Sequence, residues 1–262
     1  MGMRHMFIYT LIIGLMSLLS GCVVEGEVGR DPDALKRAIW NEAQDDLAFV
    51  SRVFAEVDGM SRVLDIEDEV EREHSLAILY PNSTFEHKGD TYVVTTNTSY
   101  GTTYKIKYVT DGKSLSEGGS WSVEHTGGSG YNLRLTPLSE GGYRAEFLSL
   151  NIAESRGSAD FEVEFDYVED ATKPLLRYVA GSITMVDRLG SSSSPVTLTS
   201  DIRAPLVCTN LTSGTSPVTN TLVSGAVDIE CHDALYGATD RVRVVINNSI
   251  PTIEYLSGSM AR

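Results

Sequence analysis

Cysteine, histidine and basic side chains are scarce in this 262-residue chain, which holds 3 Cys, 5 His and 21 Lys plus Arg against 36 Asp plus Glu. Three cysteines exclude a disulfide-dense mini-scaffold. The histidines never pair at H-x-x-x-H or H-E-x-x-H spacing, so no metal ligand is assigned. A net charge of −15 without a local basic stripe excludes nucleic acid as an expected partner, because phosphates would be repelled over most of the surface. No G-x-S-x-G elbow occurs. Asp111-Gly112-Lys113-Ser114 ends like a phosphate loop, but Lys107 stands where the first glycine belongs. No catalytic residue and no cofactor is therefore expected. What is present is a 42% hydrophobic composition, enough to build a core in one large domain or two modest ones.

Apolar residues form a long run only near the start. Arg4 and His5 precede an apolar stretch over 6–16, and small residues lead to Cys22. The stretch is too short to span a bilayer comfortably and has the layout of a secretory signal. Leu19-Ser20-Gly21-Cys22 resembles the lipobox of bacterial lipoproteins. The resemblance covers only the signal and its junction. It implies removal of residues 1–21, lipidation of Cys22, membrane as a partner through the N-terminal lipid, and an outer-membrane lipoprotein facing the periplasm or the cell surface. Val23 stands where an aspartate often marks inner-membrane retention, and Glu25 and Glu27 follow; this is similar to the acidic export signal of Bacteroidota surface lipoproteins. A solvated acidic tether has the same pattern.

The mature chain divides into a tether over 22–30, a helical region over 31–75 and an antiparallel β body over 76–262. Asp31 is a cap candidate and Pro32 suits the first helical turn. Leu35, Ile39, Ala43, Leu47, Val50, Phe54 and Val57 recur every three or four residues on one face, and Gly59 is the expected stop. A second helix is expected over 61–74, where Asp65, Glu67, Asp68, Glu69, Glu71 and Glu73 read as a solvated face; the EF-hand spacing is absent.

From residue 76 the hydrophobic period becomes two. Twelve candidate strands cover 91–97, 103–109, 120–126, 131–136, 143–150, 160–167, 176–186, 196–203, 206–211, 226–231, 241–247 and 252–256, separated by Gly, Asp and Ser turns. The expected fold is mainly β with an N-terminal α segment, its antiparallel sheet forming a sandwich, a barrel or a long curved meander.

Three features suggest sites. Cys208 and Cys231, in an oxidising compartment, are the expected disulfide, closing a loop for about 3 kcal/mol. Along 160–167, Phe161, Val163, Phe165 and Tyr167 alternate with Asp160, Glu162, Glu164 and Asp166, which gives one apolar face and one carboxylate ladder. The ladder reads as a solvated face, with a cation site or a glycosidase acid pair as alternatives. Trp121, Tyr131 and Tyr143 are candidate ligand-binding rings for sugar stacking, against a reading as core. Function is expected to be non-enzymatic: a lipid-anchored envelope protein that binds a ligand, such as a glycan, or an envelope protein partner, or that is structural. A glycan-binding lipoprotein of an uptake system and a glycosidase-like enzyme are the alternatives.

Overall fold

The computed structural model describes residues 32–97, 103–127, 130–152, 155–166, 175–187, 196–209, 221–234 and 237–258. Cys22 and the signal, the tether and Tyr167 lie outside the described residues. Among the described residues two helices, α1 (Pro32–Leu64) and α2 (Glu69–Leu79), precede twelve strands. The strands are β1 (Ser83–Lys88), β2 (Thr91–Asn97), β3 (Thr103–Thr110), β4 (Trp121–Thr126), β5 (Tyr131–Pro137), β6 (Tyr143–Ile152), β7 (Ser155–Asp166), β8 (Leu175–Asp187), β9 (Val196–Thr209), β10 (Thr221–Asp233), β11 (Ala238–Asn247) and β12 (Ile250–Gly258). They form one antiparallel sheet in sequential order, with β1 and β12 as its edges. Of the three expected architectures the meander is the one observed.

The helix α1 explains the curvature. A helix on a flat sheet buries one stripe. Its first half does so, leaving Asn41, Gln44, Asp45 and Arg52 exposed, whereas no residue from Val53 to Leu64 is exposed. Phe54 alone meets Phe147 of β6, Phe165 of β7 and Tyr178 of β8, and the helix also packs on β9 to β12. The sheet therefore curls around the helix, and the inward residues of the strands and all sides of the second half of α1 make one core.

Three boundaries differ from expectation for identifiable reasons. The helix passes through Gly59 because Met60 and Val63 continue its buried stripe; it stops only before Asp68, whose carboxylate caps α2 by accepting from the Glu71 amide at 2.8 Å. Strand β9 runs unbroken across Pro205, which reads as a breaker. Both flanking ladders skip that point, between Tyr178 and Ser182 on β8 and between Ser224 and Ala226 on β10, so no partner needs the missing N–H. Strand β1 carries Phe85 as its only large apolar residue and is almost wholly exposed, so it has no period-two signal.

The outward face is laced with ion pairs. Arg144 is bidentate to Asp160 at 2.6 and 3.1 Å, Arg177 reaches Asp166 at 3.4 Å, and Asp228 sits between Arg203 and Arg243 at 2.8 and 2.7 Å.

Candidate functional site

The disulfide expectation is corrected: Cys208 and Cys231 are both buried and are not joined to each other. Cys208 lies opposite Leu222 across the β9–β10 ladder, and Cys231 is nine residues further along β10. At ~3.3 Å per residue that is about 30 Å, against the ~7 Å limit for a bridge between Cα atoms. Alternation placed both cysteines on inward faces, but the long strands put them at opposite ends of one ladder. Cys208 instead sits 3.6 Å from the Ser51 hydroxyl, which also donates to the Leu47 carbonyl and pairs with the Tyr178 hydroxyl at 2.6 Å. Burial pushes the Cys208 thiol up to about 12, which leaves no thiolate at neutral pH.

The candidate stacking rings are also corrected. Trp121, Tyr131 and Tyr143 are 1%, 4% and 6% exposed, so none offers a ring face to a sugar. Each spends its polar atom within the protein: Trp121 Nε1 donates to the Lys113 carbonyl, Tyr143 to the Leu115 carbonyl and Tyr131 to Glu56. The carboxylate ladder faces out, as its alternation requires, and Arg144 and Arg177 on the two neighbouring strands pair with its end members. Glu164 and Asp166 also line a shallow groove of about 360 Å³ with Tyr143, Phe165 and the Gly141-Gly142 turn. Among the described residues no group of three or more His, Cys, Asp or Glu could hold a metal ion, and no helix is long and apolar enough to cross a membrane.

Two neighbouring features at the α2 end assemble polar chemistry. The first is a buried relay. Glu56, half-buried on α1, accepts from the Tyr131 hydroxyl at 3.1 Å and from Tyr80, while Tyr108 donates to Tyr80. Three elements converge here: Tyr80 follows α2, Tyr108 is on β3 and Tyr131 on β5. Burial pushes the Glu56 carboxyl up to about 7, with the two tyrosine donors pulling the other way. His125 stacks on Tyr131 with centroids 5.3 Å apart, and burial holds its imidazole below the usual range. Sequence reading missed Glu56. Its signal was an acid inside the apolar run Val53-Phe54-Ala55-Glu56-Val57, where a one-sided helix would place a hydrophobe or turn to solvent.

The second feature is a half-open cavity of about 440 Å³ between α2, the end of α1 and the β1–β2 hairpin. Met60 and Leu64, which line it, continue the stripe of Glu56 at helical spacing, so the relay lies one turn behind the cavity. Helix α2 has no buried residue, and Val70 and Ile78 are 76% and 68% exposed. It is held by its ends. Asp68 caps its start, and Arg72 Nε and Nη2 donate to the Ile66 carbonyl at 2.9 and 2.6 Å. At the other end Tyr80 joins the relay.

No protein-family model, curated protein or solved structure matches this chain.

Proposed function

We propose that the chain is a lipid-anchored cell-envelope protein with a non-enzymatic binding role. The observation that carries this reading is Leu19-Ser20-Gly21-Cys22 behind a short apolar stretch, the layout at which a bacterial signal is cut and the cysteine acylated. Nine residues separate Cys22 from the first residue of α1, Pro32, ten steps along the chain and a reach of at most ~35 Å from the bilayer. Two or more acyl chains make such an anchor effectively permanent, since one chain alone gives only marginal attachment. Helix α2 and the cavity beneath it support the binding role: the recess of about 440 Å³ is of the size of a small-molecule site.

Growth with an alkyne-bearing palmitate analogue tests the anchor. The wild-type chain takes up the label and sediments with membranes, and Cys22→Ser accumulates as an unlabelled precursor of higher mass. Labelling of Cys22→Ser at the wild-type level would overturn the reading.

A further inference from the structure

The recess beneath α2 is apolar, and its charges balance. Met60 and Val94 close its bottom and are buried, whereas Leu64 of α1, Leu76 of α2 and Tyr92 of β2 are half-buried and Phe85 of β1 is 37% exposed. Those four side chains leave apolar surface to water, which an apolar ligand would displace. The hairpin register decides which groups look inward. Phe85 pairs with Val94 and His87 with Tyr92, so alternation puts these four on the recess side. Glu86 and Val93, paired with each other, border the recess through their main chain and turn their side chains to the opposite face. His87 stacks on Tyr92 with centroids 4.2 Å and planes 6° apart, and its Nε2 donates to the Gly89 carbonyl at 2.6 Å. A flat ring pair is thereby fixed in the wall. The charged side chains facing the recess are neighbours on α2, Arg72 and Glu73, one of each sign. Arg72 spends Nε and Nη2 on the carbonyls of Ile66 and Glu67.

We propose that this recess binds an uncharged, ring-bearing apolar molecule. Its body covers the half-buried faces of Leu64 and Leu76, where removal of apolar surface from water is the favourable term. Its rings pack against Phe85 and the Tyr92–His87 pair, which supply edge and face contacts. A ligand with a net charge would shed hydration on entering. Arg72 beside Glu73 would return little for that loss, because an ion of either sign meets one attraction and one repulsion of similar range. Size sets a second bound. A cavity of about 150 Å³ holds a benzene ring, so the 440 Å³ of this recess accommodates two or three fused rings. This inference rests on the binding role proposed above and gives it a site and a ligand class.

The test uses the full lipoprotein in nanodiscs of zwitterionic lipid, with isotope-labelled methionine methyl groups read by NMR. Met60 reports on the recess, and Met185, buried on β8, is the internal control. Naphthol is the uncharged probe, naphthoate the anion and naphthylmethylammonium the cation. Each is titrated against its free concentration, set by equilibrium dialysis, so that uptake by the lipid drops out. The expected result is a saturable shift of the Met60 methyl with naphthol, on the order of 1 mM for a ligand this small, and at least about fivefold weaker binding of both ions. Leu76→Trp fills the recess from a half-buried position and removes the Met60 response. Phe85→Ala, on the exposed edge strand, weakens binding about threefold or more and guards against a misfolded Trp variant. Val70→Ala, on the solvent side of α2 at 76% exposure, leaves the affinity unchanged. An ion that binds as tightly as naphthol overturns the ligand class. A Met60 methyl that responds to no probe, a Met185 methyl that shifts with the same midpoint, or full affinity in Leu76→Trp or Phe85→Ala overturns the recess as the site. Neither result touches the anchor, which is read separately by acylation of Cys22.

Discussion

The two ends of the molecule solve the same packing problem differently. Around Phe54 the helix is enclosed by β6, β7 and β8, with ring centroids 5.6, 6.1 and 5.9 Å away in edge-on or tilted contacts. Around Leu76 a helix with no buried residue spans a recess of about 440 Å³. Both helices have apolar residues in comparable number for their length, so hydrophobicity alone does not separate them. The difference is partners: the second half of α1 lies inside the curl with no exposed residue, while α2 lies across the edge formed by β1, a strand with one large apolar side chain. A curled open sheet concentrates burial at its middle strands and leaves its edges to be finished by short elements tied down at their ends.

The sharpest way to break this contrast is to truncate one residue at each end. Phe54→Ala removes a fully enclosed ring and is expected to cost about 3–5 kcal/mol. Leu76→Ala removes a half-buried side chain facing the recess and is expected to cost less than about 1 kcal/mol. Chemical denaturation with a common slope reads both. Comparable losses would mean that α2 is packed as tightly as α1.

Glu56 stands on the boundary between the two ends, and pH sharpens the contrast there. Its folded value of about 7 lies above the ordinary 4.5. Between those values the native state holds a proton that the unfolded chain has released, so stability falls by ~1.4 kcal/mol per pH unit as pH rises. Below pH 4.5 both states are protonated and Glu56 contributes no pH dependence. Above pH 7 the full penalty applies, at most about 3 kcal/mol. Glu56→Gln keeps an acceptor for Tyr131 and Tyr80 without a charge. It is expected to be more stable than wild type at pH 8, with the gap closing by pH 5. Thermal unfolding of both proteins across that range measures it, and parallel curves would show that the carboxylate is solvated.

The same contrast decides what could be read without a structure. Strands β3, β4, β5, β7 and β11 alternate along most of their length because one face is buried and the other wet, and their residues were visible as period-two runs. The number of candidate strands matched the number observed, yet for partly wrong reasons. Cutting β9 at Pro205 added one, and missing β1 removed one. Pro205 is harmless only because bulges in two neighbouring strands coincide, and β1 pairs through its backbone with little help from side chains; neither is a local property of the sequence. The candidate rings failed for a related reason. Trp121, Tyr131 and Tyr143 have the composition of a sugar platform, but a sheet that curls around a helix buries its inner face completely. Glu56 and the recess depend on Tyr80, Tyr108, Tyr131 and Phe85 converging from four elements, which no spacing along the chain expresses.

The smallest expected effect is confined to α2 and tests whether its ends hold it. The Asp68 carboxylate accepts from the Glu71 amide, satisfying one of the free N–H groups of the first turn, and lies at the positive end of the helix dipole. Asp68→Ala is expected to destabilise this helix by about 1 kcal/mol, as for other N-caps. Global unfolding should barely register the change, because α2 buries no side chain and contributes little to the cooperative core. Hydrogen exchange is the right measurement. The amides of α2 should exchange about fivefold faster in the variant, following from ~1 kcal/mol of local opening, while those of α1 and β5 to β8 keep their wild-type rates. Faster exchange throughout the sheet would instead make α2 part of the same cooperative unit as the Phe54 core, and the two ends would no longer be separable.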